Sequence, residues 1–313
     1  SDFSWTLDNL IYYDKEIGKH SFGLTLLQSA TGYHYEESSM AAEGIPLESA
    51  KWNALSKENV SLLDEWNSGL IEKQLLSYMF RVNYDYNNKY LLTVSGRWDG
   101  ASQLAEGNKW AFFPSAALGW RLDQEEFLKD VTWLNQLKFR LGVGVTGNSA
   151  IDPYQTKGAI VSLYYPFGAT LAPGYAASEP LIKDGAVAMA NKDLSWEKTT
   201  QYNIGLDYSV LNGRISGVLD FYTSRTTDLL MAMTIPSLNG YTNTYANVGK
   251  TSNIGVDITL NTVNIKTRDF EWSTSINAAW QKDKIDELAN GKEDDINNNW
   301  FIGQALGVIY GYE

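Results

Sequence analysis

The composition of this 313-residue chain excludes several classes of protein. Its net charge of −12 argues against a nucleic-acid partner, because such binding needs clustered lysine and arginine. It has no cysteine and only two histidines, so disulfides, thiolate metal sites and most imidazole chemistry are excluded. With a mean hydropathy of −0.29, it has no run of about 20 apolar residues, which a membrane-spanning helix needs.

The first strand pattern begins at the amino terminus. Successive side chains of a strand point to opposite faces, so apolar residues at every second position predict a strand with one apolar face. Phe3, Trp5, Leu7, Asn9, Ile11 and Tyr13 share one face. Residues 15–19 read as a turn, and Phe22, Leu24 and Leu26 continue the alternation on a second strand. Periodicity is then lost, which predicts a long loop near 36–73.

The clearest hairpin lies between Leu76 and Val94. Leu76, Tyr78, Phe80, Val82, Tyr84 and Tyr86 share one face of its first strand. Asn87-Asn88 is a tight-turn pair, and the chain returns with apolar residues at even positions. A third strand is predicted from Trp110 to Arg121, and the segment 122–135 reads as a short helical or irregular connection.

The remaining strands follow the same rule. They are predicted around 137–145, 202–208, 215–221, 254–260 and 272–280, with an Asn-Gly turn at 212–213. Long loops are predicted near 148–197, 230–246 and 288–299. The sequence therefore predicts about ten antiparallel strands, with connections that alternate between short and long, as they do in outer-membrane barrels.

Charged side chains recur on the face opposite the apolar one. In a membrane barrel the apolar face turns to lipid and the polar face to the lumen, whereas a soluble sandwich buries its apolar face. Strands longer than ten residues favour the barrel, because strands of globular proteins usually have about 5–6 residues. The predicted lumen-facing or plug-facing residues are Arg81, Asp85, Arg97, Asp99, Lys138, Arg140, Asp207 and Asp257.

A family resemblance rests on a series of motifs in order. RWDGAS at 97–102 is followed by KW at 109–110, FPS at 113–115 and GWR at 119–121, and LSWEKTTQ follows at 194–201. This series resembles the RxDGSS, KW, FPS, GWR and LxWEKTxQ blocks of SusC/RagA-type TonB-linked outer-membrane proteins. Further matches continue to residue 256, so the resemblance covers nearly the whole chain, and departures such as Trp98 and Ala101 are minor.

The resemblance implies an all-β, antiparallel transmembrane β-barrel segment, about ten strands of a plugged barrel of about 22 strands. Residues 1–313 would then be a partial TonB-dependent receptor barrel domain, an internal piece with the plug and the last strands elsewhere. The implied function is import of oligosaccharides or peptides across the outer membrane of a Bacteroidetes-type bacterium. The implied partners are a SusD-like surface lipoprotein lid, TonB acting through the plug segment, and outer-membrane lipid.

Signals for other chemistry are weak. GVGVTG at 142–147 matches a dinucleotide-binding pattern, but the following NSAIDP does not read as the helix that pattern needs. Carboxylates such as Asp220 and Asp257 could form a catalytic pair, and the acidic loop 293–299 could hold calcium but lacks the central glycine of an EF-hand. We therefore predict no enzyme, no cofactor and no metal site.

Aromatic residues fall into two groups. Rings in the predicted extracellular loops could stack on sugar or peptide ligands or contact the lid, or could simply pack the loops. These are Trp52, Trp66, Tyr164, Tyr165 and Tyr175. Rings at strand ends are typical of the aromatic girdles at membrane interfaces. The candidate girdle residues are Tyr84, Tyr86, Tyr90, Trp110, Tyr202, Tyr208, Trp272 and Trp280. Two other functions remain open: a soluble or surface β-rich carbohydrate-binding or enzymatic module, and a porin-like or adhesin barrel without TonB.

Overall fold

The computed structural model describes residues 1–43, 62–157, 159–168, 170–179, 182–183, 186–236, 243–309 and 311. Ten long strands in this part form one sheet. They are β1 (Asp2–Ile17), β2 (His20–Glu43), β3 (Leu62–Tyr86), β4 (Tyr90–Ala101), β5 (Trp110–Arg121), β6 (Leu134–Asn148), β11 (Glu197–Val210), β12 (Ile215–Thr227), β15 (Lys250–Lys266) and β16 (Glu271–Glu287). The prediction of about ten strands is confirmed.

The sheet is an uninterrupted antiparallel meander. Its spatial order is β1-β2-β3-β4-β5-β6-β11-β12-β15-β16, so each strand pairs with the next long strand in the chain. Neighbouring strands that follow one another in sequence have no crossing connections, which is the arrangement of an up-and-down barrel wall.

The tight turns at one end form where the sequence predicts them. Asn87 and Asn88 both have left-handed backbones, with φ of 55° and 54°. Asn212 and Gly213 do the same at 58° and 78°. Tight hairpin turns need positive φ to match the strand twist, and asparagine and glycine adopt it at low cost.

The apolar face has no second layer packed against it. Ile204 on β11, Ile258 on β15 and Ile276 on β16 are 51%, 41% and 53% exposed. The register aligns apolar side chains in rows across the sheet; one such row is Leu118, Leu141, Ile204, Phe221, Val256 and Trp280. A two-sheet sandwich would bury these residues, so the sandwich alternative is wrong for the described part of the chain.

Segregation of the two faces is incomplete at the β1 edge. The Asn9 side-chain amide donates to Gln28 Oε1 at 2.6 Å on the otherwise apolar face. On the opposite face, the register places Leu10, Leu27 and Met79 side by side. The hydrogen bond between the two amides offsets part of the free-energy cost of removing them from water.

The loops contain more strand than the sequence pattern indicates. The loop predicted near 36–73 is shorter than expected, because β2 continues to Glu43 and β3 begins at Leu62. Two of the other three predicted long loops contain six further strands: β7 (Ala159–Phe167), β8 (Thr170–Glu179), β9 (Ile182–Lys183), β10 (Ala186–Met189), β13 (Leu230–Thr234) and β14 (Asn243–Asn247). These form separate two-stranded and four-stranded sheets.

Connection lengths alternate with one exception. The connection 122–133, which contains two short 3-10 turns, is longer than the loop 102–109 at the opposite end of the sheet. The expectation of short connections at one end therefore fails at this point. Among the described helical turns, none has the length and apolar character needed to cross a membrane.

Aromatic rings lie over glycines on the neighbouring strand. Gly217 is buried under the Tyr208 ring directly across from it, and a Cβ at this position would lie 2.3 Å from the Thr259 backbone oxygen. Backbone cannot yield as a flexible side chain can, so Gly217 is required by close packing. Similar pairs are Gly32 with Trp5 and Gly255 with Tyr222.

We expect Gly217→Ala to destabilise the sheet by roughly 1–3 kcal/mol, the cost of overpacking a filled site. Gly142→Ala is the matched control, since the nearest atom to its new Cβ is 4.0 Å away. The midpoint of heat-induced unfolding of the native protein in detergent, followed by gel mobility, measures both. Equal midpoints for the two variants would contradict the packing argument.

Candidate functional site: the polar face and its rim

All eight residues predicted to face the lumen lie on one face of the sheet. The register places Arg81, Asp85, Arg97, Asp99, Lys138, Arg140, Asp207 and Asp257 opposite the aromatic face, because their cross-strand partners alternate with the apolar rows. The charges are thus gathered on a single surface, although only some of them touch.

Arg140 is the hub of the largest ion-pair group on this face. Its guanidinium donates to Asp207 Oδ1 at 2.9 Å and to Asp220 Oδ1 at 3.0 Å, which joins three strands. A Cβ at Gly205, which lies between these strands, would be 2.6 Å from the guanidinium carbon. Glycine at this position therefore leaves the space through which Arg140 reaches both carboxylates.

Asn203 completes the group. Its side-chain amide donates to Asp220 Oδ1 at 3.3 Å. Asp257 lies directly across from Asp220 in the register, but the described contacts join Asp220 to Arg140 instead. In the described structure Asp220 is therefore part of the Arg140 ion-pair network, and Asp257 lies outside that network.

A second group lies nearer the end with the long connections. Arg97 Nε donates to Asp99 Oδ1 at 2.7 Å, and Arg97 Nη2 donates to the Ser77 hydroxyl at 2.9 Å. Ser77 is 1% exposed and Asp99 is buried. Sequence alternation places Ser77 on the polar face, but its role as a buried acceptor depends on the β3–β4 register and could not be read from the sequence.

The other predicted charges are more isolated. Asp85 accepts the backbone N–H of Asn88 at 2.7 Å and so stabilises the turn. Within the described ranges, no ion pair is found for Arg81, Lys138 or Asp257.

The motif residues 97–102, 113–115 and 194–197 converge on a small core at the rim. Phe113 packs edge-on against Trp196, with ring centroids 5.3 Å apart, and Leu104 is buried beside them. Trp196 Nε1 donates to the Lys109 backbone oxygen at 2.8 Å. A Cβ at Gly147 would lie 2.0 Å from the Phe113 ring. The core fixes the loop 102–109 against the segment before β11.

At the opposite end, Glu125 gathers three donors. Its carboxylate accepts from Lys89 Nζ at 2.7 Å, the Tyr90 hydroxyl at 2.8 Å and Trp120 Nε1 at 2.9 Å. The hydrogen bonds from Lys89, Trp120 and Tyr90 lower the pKa of Glu125 from its ordinary value of 4.5 to about 2. Nothing in the sequence indicates this contact, because its three donors lie in the turn 87–89, on β4 and on β5.

We expect this cluster to hold the connection in place except in strong acid. A carboxyl with a depressed pKa stabilises the fold fully above pH 4.5, and its contribution is lost as the pH falls from 4.5 towards 2. Hydrogen exchange of the 121–134 segment, corrected for intrinsic rates, is therefore expected to accelerate in this window. Glu125→Gln should weaken the pH dependence and leave the part that comes from Asp123, whose pKa is also lowered, whereas Asp130→Asn should retain the full dependence. A wild-type profile in Glu125→Gln would contradict the assignment.

The strand-end rings named as candidate girdle residues all lie on the apolar face. Their cross-strand partners place them there. They are Tyr84, Tyr86, Tyr90, Trp110, Tyr202, Tyr208, Trp272 and Trp280. The Tyr90 hydroxyl and Trp120 Nε1 donate to Glu125. Each of these rings therefore has a hydrogen-bonded polar end and an apolar body, as is typical of rings at a membrane interface.

The side chains of the five loop aromatic residues predicted to contact a ligand or the lid lie outside the described part of the structure. Trp52 lies outside the described residues, and nothing is described of the side chains of Trp66, Tyr164, Tyr165 and Tyr175. The GVGVTG segment lies within β6 and is followed by turns, not by a helix.

The acidic loop is stabilised by its own backbone. Asp295 accepts the Asn298 N–H, and Asp294 accepts the Ile302 N–H at 2.7 Å. Among the described residues, no group of three or more candidate metal ligands occurs.

Comparison with known proteins agrees with this geometry. The family described as "TonB dependent receptor-like, beta-barrel" matches residues 2–310. The chain is 35% identical over 311 residues to the TonB-dependent receptor SusC of Bacteroides thetaiotaomicron, covering 94% of this chain and 28% of that protein. It is 32% identical over 320 residues to the TonB-dependent receptor P3 of Formosa agariphila, covering 98% of this chain and 31% of that one.

Solved structures give the same result. A structure of the RagAB peptide transporter superposes with a TM-score of 0.83 at 26% identity and covers 97% of this chain and 33% of that one. The chain thus spans about a third of the length of the relatives it matches. From the sequence match and the ten-stranded amphipathic sheet, the chain belongs to the SusC/RagA-type TonB-dependent receptors and forms part of their outer-membrane β-barrel.

Proposed function

We propose that this chain forms part of the barrel wall of a SusC-like importer that takes up oligosaccharides or peptides across the outer membrane. The observation that supports this most is the sheet itself, whose exposed apolar rows and ion-paired polar face suit lipid on one side and an occupied lumen on the other. The relatives are named as TonB-dependent receptors or as a peptide transporter, and none is named as an enzyme.

In this proposal the polar face lines the lumen and contacts the plug. Arg81, Lys138 and Asp257 would supply charges for that contact, since no ion pair satisfies them within the described sheet. The Arg140 and Arg97 groups would instead stiffen the wall. The protein would perform no bond chemistry, and the plug, pulled by TonB, would open the passage.

The long connections would receive the ligand and a SusD-like surface lipoprotein. The rim core of Phe113 and Trp196 would hold the loop 102–109 in a fixed position for that contact. Trp52, Trp66, Tyr164, Tyr165 and Tyr175 stay candidates for ring stacking on a sugar or peptide.

Uptake by the native bacterium tests this function. Deleting the gene should abolish uptake of fluorescent oligosaccharides or of fluorescent peptides, and a plasmid copy should restore it. Because TonB couples to the proton-motive force, a protonophore should stop the restored uptake. Uptake that resists the protonophore would favour a porin-like barrel, and uptake unchanged by the deletion would contradict import.

A further inference from the structure

The β2–β3 hairpin extends well beyond β4. β3 has 25 residues and β4 has 12, and their pairing ends at Leu75 opposite Ala101. About 9–11 residues suffice to cross the hydrocarbon region. The part of β3 before Leu75 therefore extends past the bilayer, and its edge on the β4 side is not paired with β4.

Two hydroxyl groups take the place of a neighbouring strand where β4 leaves. The Gln74 backbone N–H donates to the Ser102 hydroxyl at 2.9 Å, and the Ser102 backbone N–H donates to the Gln74 backbone oxygen at 3.0 Å. The Glu72 N–H donates to the Tyr154 hydroxyl at 3.1 Å. Beyond Glu72, the pairing described for β3 is with β2 alone.

The periodicity of the strand extends this edge by further peptide groups. N–H groups of alternate residues point to the same side, and those of Glu72 and Gln74 point away from β2. The N–H groups of Leu70 and Ser68 therefore point to the same open side. Free edges of this kind are templates for pairing with another extended chain.

A polar cavity of about 300 Å³ adjoins this edge. Its walls come from β3, the loop 102–109 and the turn around Tyr154. Glu72, Glu106, Lys109 and Lys157 give the wall charges of both signs. Tyr154 has φ of +73°, a left-handed backbone that costs energy for a residue with a side chain and that concentrates at functional sites.

We propose that the β3 edge and this cavity bind an extended peptide, which adds a strand beside residues 68–72 and places a charged end or side chain in the cavity. This inference rests on the proposed import function and names its substrate class. Backbone hydrogen bonds would supply affinity that does not depend on sequence, and the lysines and glutamates would select charged or zwitterionic peptides.

The chemistry of the cavity favours a peptide over a neutral glycan. Glycan sites present ring faces for stacking, whereas Tyr154 is the one aromatic residue among the lining residues of this described cavity. A free strand edge is complementary to alternating N–H and C=O groups, which a peptide has and an oligosaccharide lacks.

Binding of defined probes to the purified native protein tests the proposal. The first probe is a seven-residue peptide with one lysine and one glutamate, and the second is the same peptide N-methylated at alternate residues to remove the donors of one edge. We expect the second to bind at least 10-fold more weakly. Equal binding of the two peptides, or displacement of the first by maltoheptaose, would overturn the strand-addition mode.

Two sets of variants locate the site. Leu70→Pro removes the edge N–H and should weaken peptide binding at least 5-fold, whereas Leu70→Ala, which keeps that N–H, should not. Lys109→Gln with Lys157→Gln should weaken binding of the charged peptide but not of its uncharged version; Lys129→Gln, at the other end of the sheet, is the control. If these variants bind normally while uptake still needs the gene, the peptide site is wrong and import stands.

Discussion

Ile204→Arg is expected to reduce the amount of folded protein in the outer membrane severely. Ile204 lies in the middle of β11 with half of its surface exposed on the apolar face. An arginine on the lipid face near the bilayer midplane costs about 2–4 kcal/mol. Heat-modifiable gel mobility of purified outer membranes measures the folded fraction directly.

The control for this variant is its immediate neighbour. Asn203→Arg introduces the same side chain on the polar face, beside the carboxylate of Asp220. We expect near wild-type folding, because the new guanidinium finds an acceptor and water. A greater loss at Asn203 would mean that the two faces are assigned the wrong way round, and equal loss in both variants would contradict a difference between the faces.

Arg140→Leu is expected to have the next largest effect. It leaves Asp207 and Asp220 facing each other without a counter-charge, while their side chains are only 23% and 22% exposed. Breaking a fully buried ion pair costs about 3–5 kcal/mol, and partial exposure reduces this to roughly 1–3 kcal/mol. Urea-induced unfolding in detergent measures the change in the free energy of unfolding.

A combined variant separates charge repulsion from lost packing. Arg140→Leu together with Asp207→Asn and Asp220→Asn removes the unbalanced charges, so we expect at least half of the lost stability to return. Asp8→Asn combined with Arg140→Leu is the matched control, since Asp8 lies on β1, several strands away from Arg140. No recovery in the triple variant would show that the guanidinium acts through packing alone.

Much of the wall could be predicted from side-chain alternation. Around Ile204 the period of two is unbroken, and one shift in register would turn every apolar residue to the wrong face. The turns at Asn87-Asn88 and Asn212-Gly213 were equally predictable, because few residues tolerate positive φ. At these positions the side-chain alternation and the turn preferences agree with the tertiary structure.

Long-range contacts could not be predicted. The Glu125 cluster joins a connection to residues 35 positions away, and its geometry depends on how 3-10 turns fold back over the strand ends. Side-chain alternation does not predict the extension of β2 and β3, because polar residues such as Glu72 and Gln74 interrupt the apolar period where the strands leave the bilayer. Outside lipid, a strand needs no apolar face, so the periodic signal ends before the strand does.

Single cysteines test the central claim most directly, since the 313 residues contain none. Nitroxide labels at Ile204 and Ile258 should show high collision rates with oxygen, which concentrates in lipid, and low rates with a water-soluble nickel complex. Labels at Asn203 and Asp257 should show low oxygen rates. High oxygen rates at Asn203 and Asp257, or no alternation between neighbours, would contradict a barrel wall with its apolar face in the membrane.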